Sequence, residues 1–162
     1  FVSNHFSHLD IGCLCYSLPK NLHFIGKKEL IWTPVVGWYM WVAGHIFVDR
    51  TNKKKALKSI TKAAKKISEG KSVVLFAEGT RSKTGKVESF KKGAFHLALQ
   101  AGVDIVPVSI KGTYEVWKSG TNTITPGKVS VIIGKPIDSS KFDKNNINNF
   151  VTAVKESIIA MQ

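Results

Sequence analysis

The segment Ser3–Gly12, SNHFSHLDIG, sets a histidine and a carboxylate five residues apart. His5 follows residues that read as the end of a strand. Asp10 falls in the first turn of the helix expected over Ser7–Tyr16. A strand-to-helix turn of that length can return the carboxylate to the ring. Asp10 would then accept the Nδ1 proton of His5 and leave Nε2 free as a general base. No serine nucleophile accompanies the pair, so the hydroxyl it activates would come from a substrate. Two plainer readings stand beside this one. Ser7 and Asp10 have capping-box spacing, so Asp10 could simply cap the helix, and His5 could simply bond to main chain. His8 is a rival base, but at the first helical position it should point away from the strand end.

A second group of residues suits an anion. FAEGTRS, Phe76–Ser82, directly follows the buried-type strand Ser72–Phe76. Ligand sites in parallel α/β sheets lie at the carboxyl ends of strands. There Gly79 would let backbone amides approach an anion closely. Arg81 would grip a phosphate or carboxylate with its planar fork. Glu78 would hold a cation such as Arg81 or contact substrate hydroxyls. An ordinary surface turn with a solvated Arg and Glu fits the same residues. GHIFVDR, Gly44–Arg50, ends another short strand. Arg50 would emerge there as a second anion contact, with Asp49 capping the next helix. VPVSIKG, Val106–Gly112, is a buried strand with Pro107 inside it, and proline in a strand marks an edge, a bulge or an end.

These residues need a scaffold, and the pattern supplies one. Strands are expected at Phe1–Ser3, Leu22–Ile25, Ile46–Val48, Ser72–Phe76, Asp104–Ile110 and Val129–Ile133. Helices are expected at Ser7–Tyr16, around Lys28–Ile31, and over Val36–Val42, Asn52–Ser68, Phe90–Gln100 and Ile147–Met161. Lys118–Lys128 reads as a loop or hairpin. The alternation implies an α/β fold with a largely parallel central sheet flanked by helices. A chain of 162 residues with 43% hydrophobic and 22% charged residues suits one domain with a real core. It is not a disordered, collagen-like or disulfide-stapled chain.

The net charge of +13, from 24 Lys+Arg against 11 Asp+Glu, calls for an anionic partner. Seven lysines (Lys53, Lys54, Lys55, Lys58, Lys62, Lys65, Lys66) lie opposite the apolar residues Ala56, Leu57, Ile60, Ala63, Ala64 and Ile67 of the Asn52–Ser68 helix. That face suits solvent, anionic headgroups or an acidic carrier protein. Leu30–Val48 lacks charge and carries Trp32, Trp38, Tyr39 and Trp41. Pro34, Gly37 and Gly44 interrupt it, so it reads as interfacial, substrate-facing or core rather than as one straight span. A nucleic-acid partner is not expected, because the aromatics sit apart from the lysines and no binding motif appears. Cys13 and Cys15 match neither zinc nor CxxC spacing and read as buried, inert thiols. No metal site is expected.

Taken in order, four of these segments resemble the 1-acyl-sn-glycerol-3-phosphate O-acyltransferase (lysophosphatidic acid acyltransferase) family of glycerolipid acyltransferases. N-H-x4-D is matched by Asn4, His5 and Asp10. G-x-x-F-[IV]-x-R is matched by Gly44, Phe47, Val48 and Arg50. F-P-E-G-T-R-S is matched by Phe76–Ser82 with Ala77 in place of proline, and a V-P-V strand by Val106–Val108. The resemblance spans Ser3 to about Gly134 and implies a glycerolipid acyltransferase-like fold. It implies transfer of a fatty acyl group from an acyl-CoA or acyl-carrier-protein thioester to the sn-2 hydroxyl of lysophosphatidic acid, with no further cofactor. His5 would be the base and Asp10 its orienter. Glu78, Gly79, Thr80, Arg81 and Arg50 would serve the acceptor and its phosphate, and Pro107 the acyl-donor region. Another lysophospholipid, or a lyso-amino-acid lipid, is the alternative acceptor, and a lipid-binding domain without turnover is a further alternative. The resemblance also implies membrane association at the cytoplasmic face. Residues 1–162 would then be a single catalytic domain lacking an N-terminal membrane-anchoring segment.

Overall fold

The computed structural model describes residues 1–18, 22–49 and 52–162. The elements run β1 (Val2–Ser3), α1 (Leu9–Ser17), β2 (Leu22–Lys27), a 3-10 turn (Lys28–Trp32), α2 (Val36–Val42), β3 (Ile46–Val48), α3 (Lys53–Ser68) and β4 (Ser72–Phe76). They continue with α4 (Gly93–Ala101), β5 (Pro107–Lys111), α5 (Thr113–Val116), β6 (Ser130–Ile133), a 3-10 turn (Ser139–Lys141) and α6 (Ile147–Ala160).

The six strands form one sheet in the order β3-β2-β4-β1-β5-β6. Every neighbouring pair is parallel except β5 with β6. The chain leaves β1 toward β2 on one side and leaves β4 toward β5 on the other. The carboxyl ends of these two adjacent strands therefore flank a topological switch point, where open α/β sheets hold ligands.

Alternation along β4 sorts the two layers. Val73 and Leu75 pack with Ala63, Ala64 and Leu97 from α3 and α4. Val74 and Phe76 pack on the opposite face with Leu14 and Leu18 of the α1 segment, and with Phe24, Val108 and Ile110. α6 presents Ile147, Phe150, Val154 and Ile158 at helical spacing to a third cluster with Phe95 and Val2. Each such buried side chain contributes about 1.5–3 kcal/mol.

Several boundaries differ from expectation. α4 begins at Gly93 rather than Phe90, because the Lys91 N–H donates to the Ala77 carbonyl and holds the preceding residues as a loop. β5 begins at Pro107, with Ile105 making only an isolated bridge to Ile137. Lys118–Lys128 contains no strand. Cys15 is exposed and Cys13 half-buried. α1 turns Asp10 and Leu14, four apart, inward, which carries Ile11 and Cys15 outward. Leu57 is also exposed; among the described side chains of the α3 face, Ala63 and Ala64 are the buried ones.

Candidate active site

β1 ends at Ser3, and Asn4 pins the chain just beyond it. Its fully buried amide donates to the Ile110 carbonyl at 2.9 Å and accepts from the Ile110 N–H at 2.8 Å. This clasp replaces a ladder bond where β1 leaves the sheet. The next residue is His5, whose Nδ1 lies 2.8 Å from Asp10 Oδ2. The same oxygen accepts the Phe6 N–H at 2.7 Å and the Ser7 N–H at 2.8 Å. Asp10 is fully buried. The capping and orienting readings therefore describe one carboxylate doing both. It satisfies main-chain donors at the helix start and bonds the one ring nitrogen that faces inward, leaving His5 Nε2 outside this bond.

The ring of His5 stacks on Phe76 at the end of β4, with centroids 3.8 Å apart and planes 13° apart. His8 stands at the surface with its ring 5.3 Å from Trp117. Its pKa is lowered, first by partial desolvation and then by the nearby charges of Arg81 and His5. α5, which periodicity could not reveal in four residues, closes this end of the sheet. The Trp117 carbonyl accepts from Ser7 Oγ at 2.7 Å, and Tyr114 OH donates to the Lys83 carbonyl at 2.9 Å.

The FAEGTRS turn meets this cluster directly. Ser82 N–H donates to the His5 carbonyl at 2.8 Å, and Glu78 Oε1 accepts the His5 N–H at 3.0 Å. Gly79 has φ +76° and donates its N–H to the Phe76 carbonyl at 3.0 Å. Its backbone angle, rather than a free amide, requires glycine here. Thr80 is exposed. Arg81 is half-buried, and its buried Nη1 has no hydrogen-bond partner among the described residues. Burial pushes the Glu78 carboxyl up to about 7, even though the His5 and Glu88 amides favour its charged form.

One expected residue, Pro107, stands apart from this cluster. Pro107 opens β5 at the amino edge of the sheet, paired with Val2, four residues upstream of the strand's carboxyl end. It is not among the groups gathered at His5. Arg50 lies outside the described residues. Asp49 lies 3.7 Å from both Lys28 and Lys55. Among the described residues, no group of three His, Cys, Asp or Glu could hold a metal ion.

Beside Phe76, on the α3–α4 face, lies an apolar cavity of about 370 Å³ lined by residues including Ile25, Val48, Ile60, Ala77, Gly79 and Leu97. Sequence reasoning missed it, because its walls come from five elements distant along the chain, β2, β3, α3, β4 and α4. It also missed the Phe76 stack and the Asn4 clasp. The motifs included both residues, Phe76 at the end of β4 and Asn4 just after β1, but not these contacts.

The fold and the site together define a class: an open α/β protein with a bonded His–Asp pair and an arginine at the switch point of its sheet. The acyltransferase family model matches residues 1–111, and the chain belongs to that family. It is 36% identical over 155 residues to a 1-acyl-sn-glycerol-3-phosphate acyltransferase of Cocos nucifera, covering 95% of this chain and 50% of that protein. The protein of the same name from Haemophilus influenzae is 38% identical over 150 residues, covering 92% and 62%. The crystal structure of the 1-acyl-sn-glycerophosphate (LPA) acyltransferase PlsC from Thermotoga maritima superposes with a TM-score of 0.81. It is 35% identical and covers 99% of this chain and 64% of that one. The chain thus spans about half to two thirds of these relatives.

Proposed function

We propose that this protein transfers a fatty acyl group from an acyl-CoA or acyl-carrier-protein thioester to the sn-2 hydroxyl of lysophosphatidic acid, giving phosphatidic acid. The observation that carries this reading is the His5–Asp10 bond at 2.8 Å, beside an arginine with a buried, unpartnered Nη1. The relatives' names point to the same acceptor.

In this reading His5 Nε2 takes the proton of the acceptor hydroxyl as its oxygen attacks the thioester carbonyl. The tetrahedral adduct collapses, the C–S bond breaks, and the imidazolium returns its proton to the thiolate. Asp10 holds the ring and stabilises the imidazolium. No acyl-enzyme forms, and the thioester is a co-substrate rather than a cofactor. Arg81 takes the acceptor phosphate, and Gly79 and Thr80 shape the turn; Arg50 is kept as a phosphate contact on its sequence motif alone. The apolar cavity beside Phe76 suits the acyl chain. Pro107 contributes to the donor side through the sheet rather than by contact.

The reading includes a membrane surface, approached from the cytoplasmic side. Trp32, Trp38 and Trp41 are 84%, 71% and 68% exposed, with Val35, Tyr39 and Val42 exposed beside them. Tryptophans of this kind favour the membrane interface. Among the described residues no helix is long and apolar enough to cross a membrane. Lys55, Lys58, Lys62 and Lys65 are exposed on α3, while Lys66 is tied to the Gly44 carbonyl at 2.6 Å.

Thiol release should be measured with acyl-CoA or acyl-carrier protein against a panel of lysophosphatidic acid, other lysophospholipids and a lyso-amino-acid lipid. Turnover should be greatest with lysophosphatidic acid. Equal rates with acceptors lacking a terminal phosphate monoester would refute the acceptor assignment.

A further inference from the structure

The parallel ladder between β1 and β4 pairs Val2 with Leu75 and Ser3 with Phe76. One more link, Ala77 N–H to the Ser3 carbonyl at 3.3 Å, extends it. Beyond that the chain after β4 turns away through Gly79, and among the described residues no main-chain carbonyl continues the ladder to His5. A side chain takes its place. Glu78 Oε1 accepts the His5 N–H at 3.0 Å, across 73 residues of sequence. Its other oxygen accepts the Glu88 N–H at 3.4 Å. Four residues on, Ser82 N–H holds the His5 carbonyl at 2.8 Å. One turn therefore grips both polar groups of the His5 main chain. Glu78 itself is only 4% exposed.

We propose that Glu78 is a positioning residue for His5 rather than a contact for the acceptor. Its carboxylate extends the β1–β4 pairing by one step and so sets the height of the His5 ring against Phe76 and Asp10. A buried carboxylate with a main-chain donor on each oxygen is poorly placed to bind substrate. An N–H left without it would be a buried donor without a partner, which the loop could satisfy only by moving. A shift of that kind misplaces a base far more than it disturbs a phosphate site.

The inference rests on His5 being the base. Its test therefore has one readout that needs no turnover. Glu78→Ala and Glu78→Gln should each be compared with wild type by acceptor-titrated kinetics and by the His5 amide resonance in ¹⁵N-labelled protein. In Glu78→Ala, kcat should fall at least about ten-fold while the acceptor KM stays within about two-fold. The His5 amide proton should move upfield as it loses a charge-assisted bond. Glu78→Gln keeps an oxygen for that N–H and should recover part of both, and it carries the test if the alanine variant fails to fold. An acceptor KM that rises with kcat unchanged would overturn the proposal. So would a His5 amide that responds to neither substitution. Failure of wild type to acylate the acceptor would count against the proposed function alone, since the amide resonance would still decide Glu78.

Discussion

Replacing Asp10 by asparagine separates the two tasks its carboxylate performs. Asp10 Oδ2 takes three donors: His5 Nδ1 at 2.8 Å and the Phe6 and Ser7 amides at 2.7 and 2.8 Å. Alanine would strand both amides at about 1–3 kcal/mol each, so about 2–6 kcal/mol in all. Against a total stability of about 5–15 kcal/mol, such a variant invites unfolding and teaches little. Asparagine keeps one acceptor oxygen of the same shape, loses the charge and sets an NH2 at the buried, unpartnered Oδ1 position. Charge-assisted bonds are about twice as strong as neutral ones, which puts its cost at about 1–3 kcal/mol. The expected outcome is a folded protein melting several degrees lower. Its kcat should be down by about 10²–10⁴-fold, the size of a general-base contribution, with the acceptor KM little changed. Thermal melting and thiol-release kinetics on the same preparation read both numbers. A folded Asp10→Asn protein with kcat within about ten-fold of wild type would refute the reasoning. It would leave Asp10 as a helix cap and nothing more.

Other perturbations probe the surrounding structure. Asn4→Ala removes both bonds to Ile110 and should cost about 2–4 kcal/mol, measured by urea unfolding; unchanged stability would contradict the clasp. Arg81→Ala should raise the acceptor KM at least about ten-fold, and Arg81→Lys should not restore it, because an ammonium lacks the planar fork; an unchanged KM would remove Arg81 from the phosphate. Burial lifts the Glu78 carboxyl from 4.5 to about 7, with the Glu88 and Asp10 charges adding to the rise. The folded state therefore holds this proton more tightly than the unfolded chain. Wild type should lose stability relative to Glu78→Gln as pH rises from about 4.5 to 7, by up to about 3 kcal/mol, with the full loss present above 7. A difference between the two that is the same at pH 5 and pH 8 would contradict that burial. Trp38→Ser with Trp41→Ser should weaken binding to anionic vesicles, seen by co-sedimentation; unchanged binding would place the interface elsewhere.

Much of the scaffold could be read along the chain because the signals are local. Short continuous apolar runs such as SVVLF became β4, and the helical spacing of Phe150, Val151, Val154 and Ile158 became α6. His5 and Asp10 were legible as a pair because five residues and one turn connect them. The contacts of Glu78 were not, since its partner lies 73 residues away. Its motif suggested substrate, whereas its geometry points at the main chain of His5. Pro107 was read by motif as a donor-side residue; that it opens β5 in parallel register with Val2 could not be read from the motif. Cys15 shows the limit of composition: an apolar stretch says that a helix has a buried face, not which residues share it. Exposure of the α2 aromatics was equally undecided, because an uncharged run fits core and interface alike.

The most direct test is the rate of phosphatidic acid formation from lysophosphatidic acid and acyl-CoA by wild type and by His5→Ala. His5 is only 15% exposed in its side chain, and among the described residues its ring hydrogen-bonds to Asp10. The substitution should therefore leave the fold in place while turnover falls by at least about 10²-fold. A folded His5→Ala protein that forms phosphatidic acid at the wild-type rate would contradict the account.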